Sequence, residues 1–175
     1  MRFNVLTRMG AAASIVAATT TLLVAPAFAS EPKLAGKHGD WSAYTRIDGS
    51  EKICYVLATP RSKLPKSVRH GDIYFMVANW RSGQASEQPS LLTGYPLHED
   101  NGPQVRVGNA KINMFVDQNE AFIEDGDNEV RLVRSMRKGS TMKVSAVSKR
   151  GTNVTYEFSL KGITAALKKA KQSCA

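Results

Sequence analysis

An all-β sandwich carrying two helices is the fold class this sequence predicts, on three observations. Short runs with strand-type alternation, about seven to nine of them, recur with Gly, Pro, Asn and Asp turn signals at short intervals. The apolar spacing changes to the helical period over Asp127–Lys138 and again after Gly162. Two cysteines, Cys54 and Cys174, lie near the start and at the end of the stretch that carries this pattern.

Residues 1–29 stand apart from that pattern. Arg2 and Arg8 form a short basic region, Gly10 to Val24 is an uncharged apolar run, and Pro26 precedes Ala27-Phe28-Ala29. This is the layout of a cleaved export signal, and the run falls short of the ~20 residues a bilayer span needs. No cysteine follows the cleavage point to take a lipid anchor. The expected mature chain is residues 30–175, a single domain large enough for its own core. No repeat, low-complexity run or linker divides it.

The strands follow in order. His38–Ile47 places Trp41 and Ala43 on one face and ends at Asp48-Gly49, a turn pair. Lys52–Ala58 is apolar on both faces, which predicts a strand covered on two sides with Cys54 inside. Thr59–Arg69, with two prolines and four basic residues, reads as an exposed connection. Asp72–Trp80, again apolar on both faces, reads as a central strand. A polar loop, Arg81–Pro89, leads to a short strand at Ser90–Tyr95, and His98–Pro103 is irregular. Val105–Val107 and Lys111–Val116 flank Gly108-Asn109, a two-residue hairpin turn, and Ala121–Ile123 continues the meander.

In the helix predicted over Asp127–Lys138, Val130, Val133 and Met136 sit three apart. Asp127 or Asn128 caps its start, Arg137 and Lys138 suit the dipole at its end, and Gly139 stops it. Ser140–Lys149 and Val154–Leu160 are strands joined by a turn at Arg150–Asn153. In the terminal helix, Ile163, Ala166, Leu167, Ala170 and Cys174 share one stripe, which turns the thiol toward whatever that face covers.

Composition narrows the function. The chain carries 24 basic and 15 acidic side chains, and the leader holds two arginines and no acid, leaving 22 against 15, or +7. A basic exported protein suits anionic surfaces such as lipopolysaccharide, phospholipid heads or sulphated sugars, whereas export separates it from nucleic acid. In an oxidising compartment two cysteines favour one intramolecular bond, Cys54 to Cys174, against two free thiols or a bridge to another chain. Closing so long a loop removes about 4–5 kcal/mol of unfolded-state freedom in the chain-entropy model.

The candidate sites are few. His38, His70 and His98 are scattered without ligand spacing, so no metal is expected. Glu124-Asp125-Gly126-Asp127 lacks the alternating oxygens and distal glutamate of a calcium loop and reads as a turn into a helix. No Gly-x-Ser-x-Gly elbow or spaced acid–histidine pair marks a nucleophile, and no cofactor motif occurs. The loops Arg61–His70, Gly83–Pro89 and His98–Pro103 are the surfaces available for contact. The first carries Arg61, Lys63, Lys66 and Arg69, the candidate contact for an anionic partner.

One resemblance ties these segments together. Ser148-Lys149-Arg150-Gly151-Thr152, followed by Tyr156-Glu157-Phe158-Ser159-Leu160-Lys161-Gly162-Ile163-Thr164-Ala165-Ala166, resembles the carboxyl-terminal signature of the invasion-associated locus B family. Gly39-Asp40-Trp41, Ile53-Cys54-Tyr55, Gly94-Tyr95-Pro96-Leu97 and Leu132 to Gly139 fall upstream in the family's order. Ile163 departs from the family's usual Phe, and the cysteines and glycines are kept. The resemblance implies an exported bacterial protein with an immunoglobulin-like β-sandwich, and it carries over no enzyme activity, cofactor or catalytic residue. The expected role is a periplasmic or envelope binding module, at the outer membrane or secreted in variants of that reading. A surface adhesion or host-cell invasion factor is the alternative, and an enzyme acting on envelope polymers the third.

Overall fold

The computed structural model describes residues 30–175; the expected signal segment, residues 1–29, lies outside the described residues. In chain order the elements are β1 (Lys33–His38), β2 (Trp41–Asp48), β3 (Glu51–Ala58), β4 (Ser62–Leu64), β5 (Ile73–Trp80) and β6 (Gln88–Thr93). They continue with β7 (Gln104–Val107), β8 (Ala110–Asn113), β9 (Phe115–Asp117) and β10 (Glu120–Phe122). Then come α1 (Gly126–Lys138), β11 (Thr141–Val147), β12 (Asn153–Ser159) and α2 (Ile163–Cys174). Two antiparallel sheets face each other as an immunoglobulin-like β-sandwich. The larger runs β1-β2-β3-β5-β6-β10-β9 and the smaller β4-β12-β11-β7-β8.

Alternation fixes which face of each strand is covered. In β5, Ile73, Phe75 and Val77 are buried while Tyr74, Met76 and Ala78 are half-buried. In β12, Val154, Tyr156 and Phe158 turn inward. The rings of Phe75 and Phe158 meet across the two sheets at 5.8 Å, tilted edge to face. Helix α2 shares this interior: its Ile163, Ala166, Leu167 and Ala170 are buried, and it packs on β1, β2, β3 and β5.

Cys174 reaches Cys54 on the inner side of β3, with the sulfurs 2.16 Å apart and a sequence separation of 120. Trp41 Nε1 donates to the Ser159 carbonyl at 2.9 Å, so the first hairpin is fastened to the end of β12. Gly162 enters α2 with φ +94°, and a Cβ there would lie 1.9 Å from the His38 carbonyl oxygen. Only glycine satisfies both demands.

The structure corrects several boundaries. The first expected strand, His38–Ile47, takes in the last residue of β1, a turn at Gly39 with φ +59° and most of β2. The expected strand Lys111–Val116 is two strands, β8 and β9, in different sheets. The chain crosses between them at Met114, where the amide donates to the Pro103 carbonyl at 2.8 Å. Gly102 allows this crossing, since a Cβ there would lie 2.0 Å from the Met114 oxygen.

The cap of α1 is Asp125 rather than Asp127 or Asn128: its carboxylate accepts from the Asp127 amide at 3.0 Å and from Asn128 Nδ2 at 2.8 Å. Gly139 ends α1 with ordinary φ, and its missing side chain makes room for Val107, which a Cβ would approach to 2.6 Å. Among the described residues no helix is long and apolar enough to cross a membrane.

Candidate functional site

The four cations of the basic connection have different surroundings. Arg61 pairs with Asp40 at 2.6 Å, fastening the connection to the first hairpin. A hydrogen bond from Ser159, then the Arg61 guanidinium, holds the Asp40 carboxyl below its ordinary range. Lys63 lies in β4, a strand that the expected exposed connection hides, and its Nζ donates to the Gly71 carbonyl at 2.7 Å. Lys66 projects into solvent. Arg69 alone borders a recess.

That recess, of about 600 Å³, opens between the end of this connection and the β11–β12 turn. Val68, Tyr95, Pro96 and Val154 give it apolar walls, and Arg69, Lys149 and Arg150 line it as well. All three cations are exposed. Lys149 has a loose partner in Glu99 at 3.9 Å, while among the described residues Arg69 and Arg150 belong to no ion pair.

Beneath the recess runs a chain of polar atoms. His70 Nε2 lies 2.8 Å from the Pro65 carbonyl, which can only accept, so Nε2 carries the proton in the neutral ring. Nδ1 is then the acceptor for the Tyr156 hydroxyl at 3.1 Å. With its proton committed, Tyr156 Oη accepts from the Tyr95 hydroxyl at 2.5 Å. The direction is therefore Tyr95 to Tyr156 to His70 to Pro65. Burial, and then Tyr95, raises Tyr156 far above the usual phenol range. Burial raises Tyr95 too. Both phenols stay protonated, so the chain orders the Tyr95 ring that forms one wall.

His70 thus belongs to a structural network, although the sequence reads it as one of three scattered histidines. Among the described residues no group of three or more His, Cys, Asp or Glu side chains could hold a metal ion. The recess draws on Val68–His70, Tyr95-Pro96 and Ser148–Val154, segments that meet only in the fold. Ser148-Lys149-Arg150-Gly151-Thr152 is conspicuous in the sequence as a turn, and nothing in its composition points to Tyr95 across from it.

Comparison with known proteins places this geometry in context. The family model "Invasion associated locus B (IalB) protein" matches residues 41–171. No curated protein matches the chain. Among solved structures, the fold is similar to invasion associated protein B from Bartonella henselae, with a TM-score of 0.55 at 14% identity, covering 82% of this chain and 98% of that one.

Proposed function

The chain belongs to the invasion associated locus B family, and from that premise we propose that it is an exported, non-catalytic binding module of the bacterial envelope. Its ligand is an anionic group borne on an apolar or ring-shaped body, held in the recess under Arg69 and Arg150. The observation that carries this reading is the pairing of apolar walls with two guanidinium groups that have no ion-pair partner among the described residues. Guanidinium offers a planar fork of donors suited to carboxylate, phosphate or sulphate. The wall of Val68, Tyr95, Pro96 and Val154 suits the adjoining apolar part.

Export and cleavage after Ala29 accompany this reading. A disulfide joining β3 to α2 suits an oxidising compartment, and the periplasm is the location we assign. Affinity capture from a periplasmic extract at two salt concentrations tests the proposal. The wild-type chain is expected to retain a component that Arg69→Ala/Arg150→Ala fails to retain, and retention should weaken at the higher salt. Equal retention by both would overturn it. A second reading, a surface factor in host-cell entry, draws on the names of the family and its structural relative. Loss of host-cell entry on gene deletion, with the envelope unaffected, would favour that reading.

A further inference from the structure

The seven-stranded sheet has two very different faces. Its inner face carries Cys54, Val56, Val77 and Phe75, all fully buried. Its outer face, by the strand register, presents Tyr44 beside Tyr55, Leu57 beside Met76, and Tyr74 beside Leu92. All six are half-buried, although among the described residues no other element covers that side: the second sheet and α2 both lie on the inner one. The stripe runs on to Phe122 and Phe115, the latter 48% exposed, and to Leu34 at the opposite edge, 54% exposed. Tyr, Phe and Met in one continuous area is the composition of a protein interface core.

Charge at the two rims selects the occupant. Lys37 faces outward from edge strand β1, opposite Ser42. At the far edge, Asp117 on β9 and Glu120 on β10 stand directly opposite each other, a like-charge arrangement that costs stability when nothing offsets it. Among the described residues none of these three has an ion-pair partner. Arg46, the other cation on this face, is engaged by Asp48 at 3.2 Å.

We propose that a second copy of this chain docks on the outer face, sheet against sheet, about a two-fold axis parallel to the strands. That rotation lays the β1 edge of each copy over the β9 edge of the other and preserves position along the strands. Lys37 lies in the row of Leu57, Met76 and Phe122, and Asp117 and Glu120 lie in the adjacent row. Each lysine therefore comes within one cross-strand row of the acidic pair, twice by symmetry. A two-fold perpendicular to the strands would instead set Lys37 on Lys37 and acid on acid. The rims make the patch complementary to itself in one orientation.

Sedimentation equilibrium of the purified protein tests this, with circular dichroism confirming that each variant is folded. The wild type is expected to dimerise. Lys37→Glu and Asp117→Lys/Glu120→Lys should each weaken association about tenfold or more. The triple variant Lys37→Glu/Asp117→Lys/Glu120→Lys should recover it, since the swap restores opposite charges across the interface. A monomer up to about 1 mM, the weak end of specific association, would overturn the proposal. So would a dimer indifferent to the substitutions, or a monomer whose outer face binds a saccharide instead.

Discussion

The two ends of β12 are finished in opposite ways. At its carboxyl end the chain completes itself: the Ser159 carbonyl accepts from Trp41, Gly162 abuts His38, and α2 returns to β3 through Cys174 and Cys54. At its amino end Val154 and Thr152 border an open recess, and Tyr156 anchors a polar chain below it. The first end is held by apolar burial and a covalent link. The second pairs the buried His70, Tyr156 and Tyr95 groups internally and, among the described residues, leaves two guanidinium groups outside any ion pair, which is where a partner has something to contribute. Rigidity beneath and open valence above are what a preformed binding site requires.

The sharpest way to break this contrast is to cut the covalent end. Replacing both cysteines, Cys54→Ala with Cys174→Ala, is expected to cost about 2–5 kcal/mol in denaturant unfolding. Ligand capture at the recess should persist wherever the variant remains folded. Loss of capture in a folded variant would show that the two ends are not independent.

Removing one atom from the polar chain comes next. Tyr156→Phe strands both the Tyr95 hydroxyl and His70 Nδ1 and should cost about 1–3 kcal/mol, more than Tyr95→Phe, which leaves the Tyr156–His70 bond in place. The same residue sets an alkaline limit. The folded chain holds the Tyr156 proton well above the usual phenol value of 10.0, while the unfolded chain releases it near that value. This contribution is therefore fully present below pH 10 and lost as pH rises beyond it, by up to about 1.4 kcal/mol per pH unit. A Tyr156→Phe chain should show a shallower alkaline decline in its melting temperature.

How far the sequence anticipates this contrast differs between the two ends. The stripe Ile163, Ala166, Leu167, Ala170, Cys174 is local, and its spacing alone predicts the helix, its buried face and the inward thiol. The alternation of Val154, Tyr156 and Phe158 likewise predicts the inner side of β12. The recess is different in kind. Arg69, Tyr95 and Arg150 converge through pairing of distant strands, and a one-dimensional pattern carries no term for that. Lys33–His38 and Ser62–Leu64 escape notice because edge strands have little apolar alternation to display. Met114 hides a change of sheet because its neighbours alternate without interruption across it.

A smaller effect concerns Arg61, one of the three cations of the basic connection that do not border the recess. Its pair with Asp40 is exposed, so Arg61→Ala should cost at most about 1 kcal/mol. Because Asp40 is held below its ordinary range, the stabilisation is present above the normal carboxylate value. It fades as pH falls through the lowered one. Acid titration of stability should therefore converge for wild type and variant at low pH, and ligand capture should be unchanged by the substitution. Smallest of all is the expected effect of Arg69→Ala/Arg150→Ala on stability, within about 0.5 kcal/mol, since both side chains are exposed and outside any ion pair among the described residues.

The most direct measurement is an NMR titration of the protein with octyl phosphate, run beside octanol and inorganic phosphate. An anionic head on an apolar body should produce saturable shifts confined to Val68–His70, Tyr95 and Ser148–Val154, stronger than either half alone and absent from Arg69→Ala/Arg150→Ala. Shifts elsewhere, or identical shifts in the double variant, would contradict the account.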